Sequence, residues 1–112
     1  MVVAAGCTST ITNLTPSQMP RNSTGLYQFE MAWKSREHVI KTNTLQPYVV
    51  VGTEAYPMRQ TPIVSNRWET LVPIPAVQSI VNYRFKVDYL QLRMPEARMN
   101  SKLSPEFKLL IK

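Results

Sequence analysis

The sequence predicts an all-β protein built as one small antiparallel sandwich of about seven strands. The first observation behind this prediction is that apolar residues recur at every second position in several segments. The second is that nine prolines divide the chain into short segments, as is typical of strands joined by turns. We therefore expect no helix longer than one or two turns.

Three segments alternate most clearly and are predicted to be strands. Residues 27–34 place Tyr, Phe, Met and Trp on one side of the chain and mostly polar residues on the other. Residues 81–89 repeat this pattern with Val, Tyr, Phe, Val and Tyr, and residues 107–112 repeat it near the C-terminus. A period of two gives each strand one face for a core and one for water, whereas a helix needs spacings of three and four.

Further segments are less regular. Residues 47–52 form a short β-branched run that is typical of a strand covered on both faces. Residues 67–73 alternate until Pro73, which ends the strand because proline has no N–H for the ladder. Residues 10–15 alternate and are β-branched, so they could supply a first edge strand. Residues 41–46, 56–62, 73–79 and 94–105 are predicted to be turns or loops.

The length and strand pattern point to a single domain. About 105 residues follow Cys7, which is enough for one core. Over residues 10–112 the pattern resembles an immunoglobulin-like sandwich of the disulfide-free kind found in bacterial envelope proteins, since one cysteine cannot form an internal bridge. An OB-like barrel is the alternative fold. It would require about five longer strands, and it would suit a basic protein that binds nucleic acid.

The chain lacks the residue groups that catalysis and metal binding need. It contains one His, one Cys and one Asp, all far apart in sequence. His38 is the only candidate base for a nucleophilic triad, and it lies in a charged connector. Three glycines cannot build a phosphate-binding loop. We therefore expect that the protein is not an enzyme and uses no metal or other cofactor.

The formal charge of +6 comes from thirteen Lys and Arg against seven Asp and Glu. The basic residues are dispersed, which is typical of a solvated surface. In residues 83–86 the aromatic and basic side chains alternate, so in a strand the aromatic rings are expected to face the core and the basic groups to face water. Because binding to nucleic acid needs exposed aromatic rings beside basic groups, a nucleic-acid partner is not expected. The alternative hypothesis is a binding module for an acidic ligand, namely a polysaccharide, an anionic lipid or a nucleic acid.

The N-terminal residues carry a second resemblance. The run Ala4-Ala5-Gly6-Cys7 follows two valines and precedes a polar segment rich in Thr, Ser and Asn. It resembles the lipobox of bacterial lipoproteins, in which a peptidase cuts before a cysteine that already carries a lipid. The resemblance implies lipidation of Cys7, and the family's product carries the two acyl signals that stable anchoring requires. The implied location is the bacterial cell envelope, membrane-anchored and facing the periplasm or the exterior.

This resemblance divides the chain into three parts. Residues 1–7 are predicted to be a truncated signal segment, residues 8–24 a polar tether or first edge strand, and residues 25–112 the sandwich.

We expect a non-catalytic structural or protein-interaction module, such as an accessory subunit of a larger periplasmic assembly, with another envelope protein as partner. Exposed methionine and tyrosine adapt well to partner surfaces. The partner-binding candidates are Tyr56, Met58, Arg59, Met94, Arg98 and Met99.

Overall fold

The computed structural model describes residues 9–35, 44–64, 66–91 and 97–112, and these residues form ten strands and no α-helix. The strands are β1 Ser9–Asn13, β2 Gln18–Met19, β3 Leu26–Ser35, β4 Gln46–Val51, β5 Glu54–Pro57, β6 Arg59–Gln60, β7 Arg67–Pro73, β8 Ile80–Gln91, β9 Arg98–Leu103 and β10 Phe107–Ile111. The all-β prediction is confirmed. The count exceeds seven because four strands were not predicted, namely the two-residue strands β2 and β6 together with β5 and β9. Residues 56–62, predicted as a turn or loop, contribute to β5 and contain β6.

Two sheets pack face to face. The first has the order β1-β3-β7-β6, and the second has the order β2-β10-β8-β4-β5 with β9 also paired to β8. All pairs are antiparallel except β2 with β10. This distribution of strands follows the immunoglobulin arrangement. The predicted sandwich is confirmed, and the barrel alternative is wrong because the two sheets do not join into one closed sheet.

The core consists mainly of the inward residues of β3 and β8, as the alternation predicts. The buried apolar side chains are Tyr27, Phe29, Met31, Trp33, Val49, Met58, Val72, Ile74, Val81, Tyr83, Phe85, Val87, Tyr89, Leu109 and Ile111. The rings of Phe29 and Tyr83 meet edge to face across the sheets, with centroids 4.8 Å apart. Each fully buried large apolar side chain contributes about 1.5–3 kcal/mol, so this interior supplies most of the stabilisation.

Two details of the strand predictions need correction. The run at residues 47–52 forms β4, but only one face is core, since Val49 is buried whereas Tyr48 and Val50 are half-buried on the outer face. Residues 98–103, predicted as loop, form β9. The local pattern fails there because neither face of β9 is buried, so no apolar alternation marks it.

The N-terminal segment belongs to the sandwich. β1 pairs with β3 along its whole length, and β2 pairs with β10. Between these strands the Thr15 hydroxyl donates to the carbonyl of Glu30 at 3.1 Å and accepts from its N–H at 3.0 Å. The expected edge strand is therefore present. Within the described structure residues 9–19 belong to the sandwich and are not a free tether, because threonine-rich strands still satisfy their backbone groups in a sheet. The sandwich is therefore not confined to residues 25–112.

A bulge separates β9 from β10 along one edge of β8. Lys86 pairs with Leu103 and Tyr83 pairs with Phe107, so two residues of β8 face three residues, Ser104 to Glu106. The buried Ser104 hydroxyl accepts the N–H of Phe85 at 2.8 Å and donates to the carbonyl of Pro105 at 2.8 Å. The extra residue redirects the chain, so β9 extends past the core while β10 covers it.

Candidate partner-binding surface

The candidates in residues 56–59 lie in different environments. Met58 is in the core, 8% exposed, and its N–H donates to the carbonyl of Pro47 at 2.9 Å. The prediction that Met58 contacts a partner is therefore wrong, because the inward alternation of Tyr56 continues to it across Pro57. Tyr56 is half-buried and packs against the core. Only Arg59 is exposed, and it forms an ion pair with Glu69 at 3.7 Å.

The other candidates lie on or next to β9, with Met94 outside the described residues. Arg98 and Met99 are both exposed. Met99 is 63% exposed and pairs with Leu90 of β8, and Leu103, 57% exposed, pairs with Lys86. The sheet thus presents Leu90, Met99 and Leu103 on its outer face near one end. We call this set, together with Arg98 and Lys102, the β9 surface.

The backbone of β9 has a free edge within the described part of the chain. The N–H of Ser104 donates to the carbonyl of Phe85 at 2.9 Å. Because hydrogen-bonded pairs alternate in an antiparallel ladder, the backbone groups of Met99, Ser101 and Leu103 point away from β8. The Ser101 N–H is accepted by the Asn100 side chain at 2.9 Å. No described strand pairs with this edge, so the outward groups of Met99 and Leu103 remain available.

The charges on β9 follow the same alternation. Arg98 and Lys102 pair with Gln91 and Val87 of β8, so they lie on the face opposite to Met99 and Leu103. Neither forms an ion pair with a described residue, whereas Lys86 on the neighbouring strand pairs with Asp88 at 3.7 Å. The edge therefore carries two positive charges that have no ion-pair partner among the described residues on one face, and two apolar side chains on the other.

Lys102 and Leu103 were not among the residues predicted to contact a partner. The sequence carries only a weak signal for them: Arg, Asn and Lys alternate with Met, Ser and Leu over residues 98–103, but Ser101 interrupts the apolar set. That pattern is typical of a strand with water on both faces. Pro105 and the mostly polar composition of residues 98–103 favoured a loop over a strand in the prediction.

The remaining charged residues do not form one stripe. Arg84 and Glu106 form an ion pair at 4.0 Å beside an open groove of about 730 Å³ next to the turn at Gly52. Arg21 donates to the carbonyls of Ala76 and Gln78 at 2.6 and 3.3 Å. The described basic residues occupy both ends and both outer faces of the sandwich: Arg21, Lys34, Arg59, Arg67, Arg84, Lys86, Arg98, Lys102, Lys108 and Lys112.

The comparisons with known proteins are negative: the chain matches no protein-family model, no curated protein and no solved structure. Among the residues described, no group of three or more His, Cys, Asp or Glu is placed to hold a metal ion. The same residues include no helix long and apolar enough to cross a membrane. His38 and Cys7 lie outside the described ranges.

Proposed function

We propose that this protein is a non-catalytic module of the bacterial cell envelope that is anchored by a lipid on Cys7 and binds another envelope protein. Within that role it serves as an accessory subunit of a larger periplasmic assembly. The binding half of this proposal is supported by the β9 surface, a strand edge that no described strand covers. It carries exposed apolar side chains and basic side chains that form no ion pair within the described part of the chain. The lipobox-like run before Cys7 carries the anchoring half.

The chemistry of β9 favours one kind of partner. An extended segment can add to an open strand edge through main-chain hydrogen bonds, with its alternate side chains providing specificity. Across from Arg98 and Lys102 such a segment needs acidic side chains, and across from Met99 and Leu103 it needs apolar ones. The partner is therefore an extended segment in which acidic and apolar residues alternate.

A second copy of the chain fits this edge less well. Two β9 strands paired antiparallel would place Arg98 and Lys102 of both copies on one face. Like charges that face each other across a ladder destabilise it. An acidic partner strand neutralises the same charges, and for that reason we favour it.

The alternative function, a general binding module for acidic ligands, has less support. Such binders usually concentrate their positive charges in one patch or stripe. Here Arg59, Arg84 and Lys86 are paired with carboxylates. The other described basic residues are distributed over the whole surface, which favours a specific protein partner.

Titration of the labelled full chain with a short peptide of alternating Glu and Val, followed by NMR, tests the binding half. We expect the amide shifts to change at residues 99–103 and Leu90. Met99→Pro removes an outward N–H at an edge position that tolerates proline, so it should abolish binding. Lys102→Glu should weaken binding about fivefold, whereas Lys108→Glu on β10 should not. Unchanged shifts, or concentration-dependent dimerisation through β9, would contradict this proposal.

A further inference from the structure

The end of the sandwich at which the chain enters β1 has an unusual composition. We call it the N-terminal pole. Ser9 pairs with Ser35 there, and their hydroxyl oxygens are 2.9 Å apart. The turn before β7 lies at the same pole, since the N–H of Trp33 donates to the carbonyl of Asn66 at 2.9 Å. Cys7 is two residues before Ser9, and two residues span at most about 7 Å.

The tip of that turn is apolar and conformationally unfavourable. The N–H of Val64 donates to the carbonyl of Thr61 at 3.3 Å, with Pro62 and Ile63 as the central residues. Ile63 has a φ of 72° and its side chain is fully exposed. This is the third position of a type II turn, which prefers Gly or Asn, and a β-branched residue is strained there. Folding alone gives no reason for isoleucine at this position, since its side chain packs against nothing.

Basic side chains flank the turn on the outer face of the first sheet. Arg67 pairs with Ala32, and Lys34 lies two residues further along β3 on the same face. Both are exposed, and neither forms an ion pair with another described residue. An apolar tip beside unpaired basic groups is the composition of surfaces that dock onto anionic membranes.

We propose that the N-terminal pole rests directly on an anionic lipid surface. Ile63 enters the boundary between the headgroups and acyl chains, and Lys34 and Arg67 contact lipid phosphates. The orientation rests on the proposed lipid on Cys7, which brings this pole and not the opposite one to the membrane. At most one residue then separates the lipid-bearing Cys7 from β1. β9 begins at the same pole, because its first residues pair with Gln91 and Leu90 of β8 next to the contact between Tyr89 and Trp33.

Binding of the unacylated chain to vesicles tests this inference. The full chain carrying Cys7→Ser is mixed with phosphatidylglycerol vesicles and, separately, with phosphatidylcholine vesicles, and the bound fraction is measured by sedimentation. We expect preference for phosphatidylglycerol and about tenfold weaker partitioning for Ile63→Asn. Val77 is 94% exposed in the loop after β7, at the opposite pole, so Val77→Asn is the matched control and should change little. Lys34→Glu and Arg67→Glu should each weaken partitioning about fivefold, unlike Lys108→Glu.

A stability measurement separates docking from a structural role. Asn accepts a positive φ more easily than isoleucine, so Ile63→Asn should raise the free energy of unfolding while it lowers vesicle binding. Equal losses for Ile63→Asn and Val77→Asn, or no loss for either, would overturn the inference. The outcome is independent of acylation: an unmodified Cys7 in cells would refute the anchor alone, and absent vesicle binding would refute the docking alone.

Discussion

The side-chain amide of Asn13 donates a hydrogen bond to the hydroxyl of Tyr83 at 2.9 Å, and this bond joins the first edge strand to the opposite sheet. The side-chain oxygen Oδ1 of Asn13 accepts the backbone N–H of Thr15 at 3.0 Å, which orients the side-chain amide. Tyr83 is 2% exposed, and its ring contacts Phe29 and Phe85. The hydrogen bond from Asn13 to Tyr83 and the pairing of β1 with β3 thus connect the N-terminal strand to both sheets. A force applied through Cys7 would therefore be transmitted to the whole sandwich.

Removing the Tyr83 hydroxyl should measure this connection. Tyr83→Phe keeps the ring contacts but leaves the Asn13 amide without its partner, so we expect a loss of about 1–2 kcal/mol in the free energy of unfolding by urea. Tyr48→Phe, at a half-buried outward position, is the control and should cost less than about 0.5 kcal/mol. A double-mutant cycle with Asn13→Ala should show coupling between the two side chains. Strictly additive effects would mean that the bond contributes nothing.

The bulge between β9 and β10 depends on one hydroxyl. Ser104→Ala leaves the buried N–H of Phe85 without an acceptor, and we expect a cost of about 1–3 kcal/mol. Ser17→Ala at an exposed position serves as the control. Thermal unfolding of both variants provides the measurement. A Ser104→Ala variant as stable as Ser17→Ala would show that the hydroxyl does not hold the bulge.

Arg21 fixes the loop that follows β7. Its guanidinium donates to the carbonyls of Ala76 and Gln78 and contacts the hydroxyl of Ser79. The backbone N–H of Arg21 donates to the carbonyl of Lys112 at 2.7 Å. Arg21→Ala should cost about 0.5–1.5 kcal/mol, because the contacts are exposed, and should speed hydrogen exchange at residues 76–79. Lys108→Ala should leave that exchange unchanged. Unaltered hydrogen exchange at residues 76–79 in Arg21→Ala would show that the Arg21 side chain does not hold this loop in place.

The turn at Gly52 tests a backbone requirement. Its φ of +63° at the first central position of the β4–β5 hairpin suits a type II′ turn, and an added Cβ would meet no atom within 4 Å. Gly52→Ala should therefore cost about 1 kcal/mol through backbone strain alone. Gly52→Asn should lower the free energy of unfolding by less than Gly52→Ala does, because Asn tolerates a positive φ. If urea unfolding gave the same loss for both variants, backbone strain would not be the explanation.

Local sequence patterns predict the strands that bury one face. β3 and β8 were predictable because aromatic residues such as Phe29 and Tyr83 recur at every second position. β9 was not, since both of its faces are exposed, and Met58 was misplaced because Pro57 suggested a turn. The free edge of β9 depends on strand pairing between distant segments, which local periodicity does not specify. Arg98 and Met99 were identified from composition, whereas Lys102 and Leu103 became visible only through the register with β8.

The most direct test of the proposed anchoring is the chemical state of Cys7 in a bacterial cell. Residues 1–112, with their own Ala4-Ala5-Gly6 before Cys7, are expressed behind the basic and apolar regions of a lipoprotein signal segment from which its own lipobox has been removed. The membrane-associated protein is examined by intact mass and by labelling with an alkyne analogue of palmitate. We predict a mass that includes a diacylglyceryl group on Cys7 and label that is lost in Cys7→Ser. A protein with a free thiol at Cys7, in a host that acylates other lipoproteins, would contradict the proposal.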